Sequence, residues 1–442
     1  MTRQILRTAC WLLLLPQTIL VAQEAEQKSL PAKQVRLPAE LEGPMLAGRG
    51  DFLVVSLPSL QKLAIVDLKQ EKVSGYLSLE EGSFAMTGVA DGLILYYPDK
   101  QTLQRWSLAP LEVKQTANIG KLEVTGLYSG CACSGPFMVM TTSGPQFFDT
   151  SLLRPFKGLE GRVSDDWKLR QDHDFKVSTS ADATTFAMSV DGTPTHISIL
   201  QIQASKLIEQ SYSGGRSHWL LPSPDGSLMF ESHDLYNTHF FQPLPRKQLH
   251  DWIFPTIHPA FYVGVSGVTV NGVENIELCT THDRQPLLSL TSIPGLKGPR
   301  GLEEFFYSYM YRRIFVNPAL NKAVVIDGEF KSVHLVSIDI PKALKEKKED
   351  YLLLDSLPVI SAVRGKDYVY PIRTLSKSGN VTFSLGNGPK GMTIDAKGVL
   401  SWAVPADFSD PATSVVVSIS DGSKQHAYHA FQIYVAPLDP AK

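Results

Sequence analysis

Histidine is the side chain most often recruited for acid–base work near neutral pH and for holding transition metals. Five of the chain's eleven fall within 41 residues: His218, His233, His239, His250 and His258. A metal needs ligands that converge, and here the spacing is irregular, with no His-Glu-x-x-His pair. These histidines read as loop and sheet-edge residues unless a central channel brings several together. His233-Asp234 and His282-Asp283 look like base-orienter pairs. Neighbours on a strand point to opposite faces, however, and no Gly-x-Ser-x-Gly supplies an exposed nucleophile. No residue is assigned a catalytic role.

The densest aromatic stretch is Glu303–Arg313. As a strand it would show Tyr307, Tyr309 and Tyr311 on one face, with Arg313 in line, which is the composition of a sugar-binding surface. Core packing uses the same residue types, and Trp106, Trp219 and Trp252 are read as packing. Calcium wants six to eight oxygens. Asp395, Asp407, Asp410 and Asp421 are available, and turn or cap roles account for them, so Asp407 and Asp421 stand as the calcium candidates and no other cofactor is expected. Glycine-rich phosphate loops are absent, and Asn380-Val381-Thr382 is an acceptor sequon.

The 442 residues are 43% hydrophobic and 19% charged, an ordinary globular composition with length for two or three domains. A net charge of -2 without a long basic run argues against nucleic acid and anionic membrane. Residues 1–22 read as a secretory signal peptide: Arg3 and Arg7, then an apolar core broken by Pro16, with cleavage near Ala22. An uncleaved anchor is the competing reading, for which the apolar stretch is short. No later segment is apolar enough to span a bilayer. Three cysteines then remain, an odd number that cannot form a full disulfide framework. Cys131-Ala132-Cys133 could close a strained disulfide, bind a soft metal, or sit as small residues in a tight loop.

The elements that would position these residues are short strands. Residues 23–42 read as a polar leader. From 43 to 340, Phe52–Ser56, Gly92–Tyr97, Pro136–Thr141, Thr185–Val190, Ser227–Ser232, Ala260–Val265 and Arg313–Asn317 are comparable apolar strands with a mean spacing of about 44 residues, the length of a propeller blade. Second strands follow at Leu63–Leu68, Leu103–Leu108 and His196–Ile202. Pro222-Ser223-Pro224-Asp225-Gly226-Ser227 resembles the turn of WD40-like, YVTN-type blades, although the Gly-His and Trp-Asp marks are missing. The expectation is a seven-bladed propeller, because some 300 residues of strand need their edges managed. Two or three stacked sandwiches are the alternative.

Residues 341–356 are charged and helix-favouring, a solvated linker or one short helix. Beyond it, Val369–Leu375, Val381–Leu385, Gly398–Trp402, Ser414–Ser420 and Tyr428–Val435 read as strands of a sandwich, separated by turns such as Asp395–Gly398 and Asp421-Gly422-Ser423. Gly391–Asp395, Gly398–Trp402, Val404-Pro405, Val415–Gly422 and Phe431–Val435 resemble the immunoglobulin-like, dystroglycan-type cadherin-like family over residues 357–437. That resemblance implies a spacer, adhesive or sugar-associated module of bacterial extracellular proteins. The clustered acidic motifs of true cadherins are absent, so it brings no calcium ligands with it. Together these readings describe an all-β exported protein, secreted or held in the periplasm or cell envelope. It would bind a protein or glycan partner without catalysis. A propeller hydrolase or lyase acting on polysaccharide, or a structural surface component, are the alternatives.

Overall fold

The computed structural model describes residues 31–168, 175–190, 196–203, 205–213, 219–238, 242–245, 250–269, 272–290 and 311–436. Residues 1–22, expected to be a signal peptide, and both Tyr307 and Tyr309 lie outside them, as do His218 and His239. Seven antiparallel sheets succeed one another among the described residues. The first comprises Glu42–Ala47, Phe52–Leu57, Lys62–Asp67 and Lys72–Ser78, and the second Ala85–Val89, Gly92–Tyr97, Thr102–Leu108 and Leu111–Asn118. The third has three strands, Val124–Tyr128, Pro136–Thr141 and Gly144–Asp149. Phe175–Thr179, Thr185–Val190, His196–Gln203 and Lys206–Ser213 form the fourth. The fifth is Leu220–Pro222, Leu228–Glu231, Asp234–Asn237 and Gln242–Pro243; the sixth is Trp252–Pro255, Phe261–Thr269, Gly272–Thr280 and Pro286–Ser289.

The seventh sheet, Ile314–Asn317, Lys322–Ile326 and Ser332–Ser337, takes its fourth strand from the other end of the chain. Ala32–Arg36 pairs antiparallel with Ser332–Ser337, Ala32 opposite Val336 and Arg36 opposite Ser332. Consecutive meanders, the last completed by the first strand, make a β-propeller, which leaves only short, protected edges. Stacked sandwiches do not describe this order. The polar-leader reading of residues 23–42 is corrected for 31–42, the part that lies within the described residues: Ala32–Arg36 is an outermost strand, exposed except at Val35, and so looks polar in sequence. Val35, Leu37 and Leu41 pack with Leu53 and Val55 of the first sheet and with Val324 and Leu335 of the seventh.

Central strands of each sheet are covered on both sides by neighbouring sheets, which is why they are continuously apolar. Gly92–Tyr97, Pro136–Thr141 and Thr185–Val190 are buried at every position. Six of the seven marker strands are second strands, whereas Ile314–Asn317 is a first strand and so not equivalent to the others. Packing runs from sheet to sheet, Leu63 and Ile65 against Leu93 and Leu95, then Ile94 and Leu103 against Phe137 and Phe148.

Residues 341–356 are not a solvated linker. The helix Ile340–Glu346, whose Lys342 amide donates to the Asp339 side chain at 3.0 Å, buries Ile340 and Leu344 against the sixth and seventh sheets. Lys347 is ion-paired with Asp283. The strand Leu352–Leu354 pairs with Thr374–Ser376, and its alternation sends Leu353 into that core and Leu352 into the next. That next core lies between two further sheets. Ser361–Val363, His426–Ala436, Ala412–Ser420 and Thr382–Asn387 form one; Asp367–Pro371, Val399–Ala403 and Thr393–Ile394 form the other. Trp402, 1% exposed, fills the space between them beside Val415, Val417 and Ile433. The expected strand Val369–Leu375 is split after Pro371 between two sheets, and the parallel pairing of Ser361–Val363 with Tyr434–Ala436 had no signal in the sequence.

Candidate functional site

The first strand of every sheet faces the axis of the ring. Residues from all seven, Met45, Thr87, Leu127, Val177, Leu221, Phe254 and Ile314 among them, line a single cavity of about 350 Å³. That is a ligand-sized space. Two glycines set its shape. A Cβ on Gly88 would collide with the Leu46 carbonyl, so the first and second sheets approach there only because the side chain is missing. Gly126 makes room for the ring of Tyr128, which folds back along its own strand to 2.8 Å from where a Cβ would stand.

One end of the cavity, here the near face, is made by the turns joining first to second strands, and hydrogen bonds tie these turns together. The Arg49 amide donates to the Cys131 carbonyl at 2.7 Å, Ala132 to Ala181 at 2.8 Å, Asp182 to Pro224 at 3.2 Å and Ile257 to Val316 at 3.3 Å. The buried Asn317 amide donates to the Gly50 carbonyl at 2.8 Å. Cys131-Ala132-Cys133 takes the tight-loop reading and forms part of this floor. The three cysteines among the described residues, Cys131, Cys133 and Cys279, form no disulfide and are buried. Burial pushes the Cys131 and Cys133 thiols up to about 12, so both stay protonated.

The C-terminal sheets sit on the same face. Tyr434 and Ile360 join Cys133, Met138, Trp167 and Phe186 in one core, and Tyr434 meets Phe156 edge-on at 5.8 Å. His258 contacts Asp355 at 3.1 Å, and the Ser205 amide donates to the Gln432 side chain at 3.2 Å. A buried chain, Ser356 to Tyr370 at 2.7 Å and Tyr370 to His429 at 3.0 Å, lies at this junction. Burial pushes His429 down to about 4. Asp182, in the fourth sheet's turn, is pushed up to about 6 by burial, against hydrogen bonds from Ser180 and Thr184.

Of the ligand-surface candidates, Tyr311 lines the cavity, 5.9 Å from the ring of Trp219. Arg313 points inward instead: its guanidinium donates to the Ile326 carbonyl and lies over Phe330 at 5.6 Å, so it is no part of an exposed surface. Residues 311–313 are helical, so the extended register expected for Tyr311 and Arg313 does not occur. Asp407 and Asp421 stand at opposite ends of the nine-residue strand Ala412–Ser420, about 27 Å at 3.4 Å per residue, and cannot share an ion. The Asp421 carboxylate accepts from Ser376 at 2.6 Å, Ser378 at 2.9 Å and the Ser423 hydroxyl at 2.7 Å. No group of three metal-ligating side chains occurs among the described residues. The described histidines do not converge. His233 is in a turn beside Asp234, His250 packs on Gly264 and bonds Glu277 at 2.7 Å, and His282 is in a loop next to Asp283, itself held by Lys347 and Thr280.

Sequence reasoning missed the first strands, because they are short and interrupted by Gly88 and Gly126, and it missed Arg312. The Arg312 guanidinium donates to the Tyr311 hydroxyl at 3.2 Å and lies 5.5 Å over that ring. It is the one charged side chain among the described residues lining the cavity.

No protein-family model matches this chain, and no curated protein matches it. Among solved structures, it is similar to the β-propeller domain of Myceliophteria thermophila Cps50 (Swd1), at 12% identity and a TM-score of 0.43, over 70% of this chain and all of that domain. So low a score carries no weight, and the propeller assignment rests on sheet order and closure.

Proposed function

We propose that this is an exported, non-catalytic binding or scaffold protein of the cell envelope or extracellular space. Its seven sheets are read as the blades of a closed seven-bladed propeller, followed over residues 357–437 by an immunoglobulin/cadherin-like sandwich that holds the ring from below. The partner, a protein or a glycan, would engage the far face, where second strands turn into third.

One observation supports this reading above the others. The cavity wall is built of apolar, aromatic and hydroxyl side chains, with no carboxylate or imidazole among its described residues, while the C-terminal sheets cover the near face. A hydrolase or lyase of the propeller type would need converging acids or bases there. The test is to immobilise the chain from Gln23, expose it to secreted and envelope fractions, and map any retained partner by lysine cross-linking. Links to Lys100, Lys121 and Lys331, exposed on far-face turns, are expected. Links confined to the C-terminal sheets, or turnover of a polysaccharide panel by the same sample, would overturn the proposal.

A further inference from the structure

The near-face turns carry carboxylates whose charges are unevenly met. Asp51 pairs with Lys69 at 2.6 Å and Asp91 with Arg105 at 2.6 Å. Asp182 and Asp225, in the corresponding turns of the fourth and fifth sheets, form no ion pair among the described residues. The two are built alike. Asp182 Oδ1 accepts from the Ser180 hydroxyl at 2.6 Å and from the Thr184 amide and hydroxyl at 3.0 and 2.8 Å. Asp225 Oδ1 accepts from the Ser223 hydroxyl at 2.7 Å and from the Ser227 amide and hydroxyl at 3.2 and 2.8 Å. Each turn thus satisfies one carboxylate oxygen, and Oδ2 takes no hydrogen bond among the described residues. The Asp182 amide donates to the carbonyl of Pro224, the neighbour of Asp225, which brings the two turns together. Burial pushes the Asp182 carboxyl up, and the charge of Asp225 pushes it further the same way.

The C-terminal strand His426–Ala436 faces both turns. Its His429, which feels the charge of Asp225, supplies no counter-ion, because burial holds it uncharged. Its Tyr434 supplies a hydroxyl. That residue is 3% exposed, and its Oη has no hydrogen-bond partner among the described residues. Burial pushes the hydroxyl up, and the charge of Asp182 adds to the rise, so the two groups lie in the same neighbourhood. The Tyr434 ring reaches this position by packing on Gly135, where a Cβ would stand 2.8 Å from it. A buried hydroxyl with nothing to bond is costly and asks for a partner.

We propose that Asp182, Asp225 and Tyr434 hold one divalent, oxygen-seeking cation, which ties the turns of the fourth and fifth sheets to the C-terminal strand. Two carboxylates without counter-ions, one of them buried, match a double positive charge. All three donors are oxygens, the ligands of Ca2+ and Mg2+ rather than of softer metals. Asp225 is half-buried, so water can complete the shell on its side.

The test is calorimetric titration of the full chain from Gln23, stripped with EDTA, with CaCl2 and with MgCl2, alongside terbium emission sensitised through Tyr434. One ion should bind per chain. At a hundred times its dissociation constant it should lower the urea unfolding constant about a hundredfold. D225N, at the more exposed carboxylate and so the less able to disturb the fold, should weaken binding by roughly tenfold or more. Y434F should dim the terbium emission and weaken binding less. Tighter binding of Ca2+ identifies a roomy site that replaces most of the ion's water, and tighter binding of Mg2+ a compact one that keeps several waters. Binding that D225N and Y434F leave unchanged, binding abolished instead by D407N or D421N, or no binding of either ion would overturn the inference. The reading of the ring as a partner-binding module would stand in each of those cases, since its test is retention of a partner on the far face.

Discussion

Leu63 and Ile65 are buried because the second sheet stands against them, whereas Trp402, Val417 and Ile433 find one another within a single pair of sheets. The ring is a chain of interfaces, each shared by neighbours, and Ala32–Arg36 closes the last of them. The C-terminal sheets own one core and are closed by local turns. A repeat architecture of the first kind draws its stability from nearest-neighbour contacts, so damage at the closure reaches every sheet. Damage to the second kind should stay where it is made.

The largest expected effect tests that difference directly. A chain beginning at Leu41 lacks the strand that pairs with Ser332–Ser337 and loses the burial of Val35 and Leu37. It should fail to give a closed ring, seen as loss of amide exchange protection across all seven sheets. Intact protection in the first six would show that closure contributes little. The matching change on the other side is Trp402→Ala, which removes the largest buried side chain of the C-terminal core and should cost about 3–5 kcal/mol by urea denaturation. Exchange should rise in the C-terminal sheets first, with the ring protected to higher denaturant. If both regions lose protection together, the shared contacts of Tyr434 and Ile360 bind them into one cooperative unit.

The boundary between the two regions is where pH should act, with two opposed contributions. Asp182 has a folded pKa of about 6 against an ordinary 3.8, raised by burial. Its folded form takes up a proton first, so acidification from about pH 6 towards 4 adds stability. His429 has a folded pKa of about 4 against 6.5, lowered by burial. Its unfolded form takes up the proton first, so stability present above pH 6.5 is lost as the pH falls towards 4. At pH 4.5 each is worth roughly 2 kcal/mol, and they largely cancel. Between pH 7 and 4.5, Asp182→Asn should therefore lose urea stability relative to the parent, and His429→Gln should gain it. Two variants with the parent's slope would show that neither group titrates in this window.

The same contrast explains what could be read in advance. Asp395 and Asp421 organise their turns through their own side chains: the Lys397 and Val399 amides each donate to Asp395 at 2.8 Å. Such turns are local and legible, as are central strands, because burial on both faces forces a run such as Leu93-Ile94-Leu95-Tyr96-Tyr97. First strands carry no such mark, since what they face is a cavity made by six other segments. Ala32–Arg36 carries none either, because its partner lies about 300 residues away. The site was hidden for that reason: Arg312, Tyr128 and Gly126 meet only once the ring is closed. The aromatic run that drew attention to Tyr311 also drew it to Arg313, which the helical backbone at 311–313 turns into the protein.

The smallest effect should come from Asp421→Asn, and it is the sharpest check on locality. The carboxylate accepts from three serine hydroxyls and from the Ser423 and Gln425 amides, and these bonds hold its pKa well below the usual carboxylate range. The stability it supplies is present above about pH 4 and is lost as the pH falls through the folded pKa. Asparagine keeps one acceptor oxygen for the amides but offers donors where Ser376 and Ser378 also donate. Both hydroxyls can rotate to accept instead, so the cost is about 1–2 kcal/mol rather than that of an orphaned charge. Because every partner lies between residues 376 and 425, exchange should quicken in Thr374–Ser376, Ala412–Ser420 and His426–Ala436 alone. An equal rise in the strands lining the cavity would mean that a turn at the far edge of the C-terminal sheets is coupled to the ring, and the two regions would then have to be treated as one folding unit.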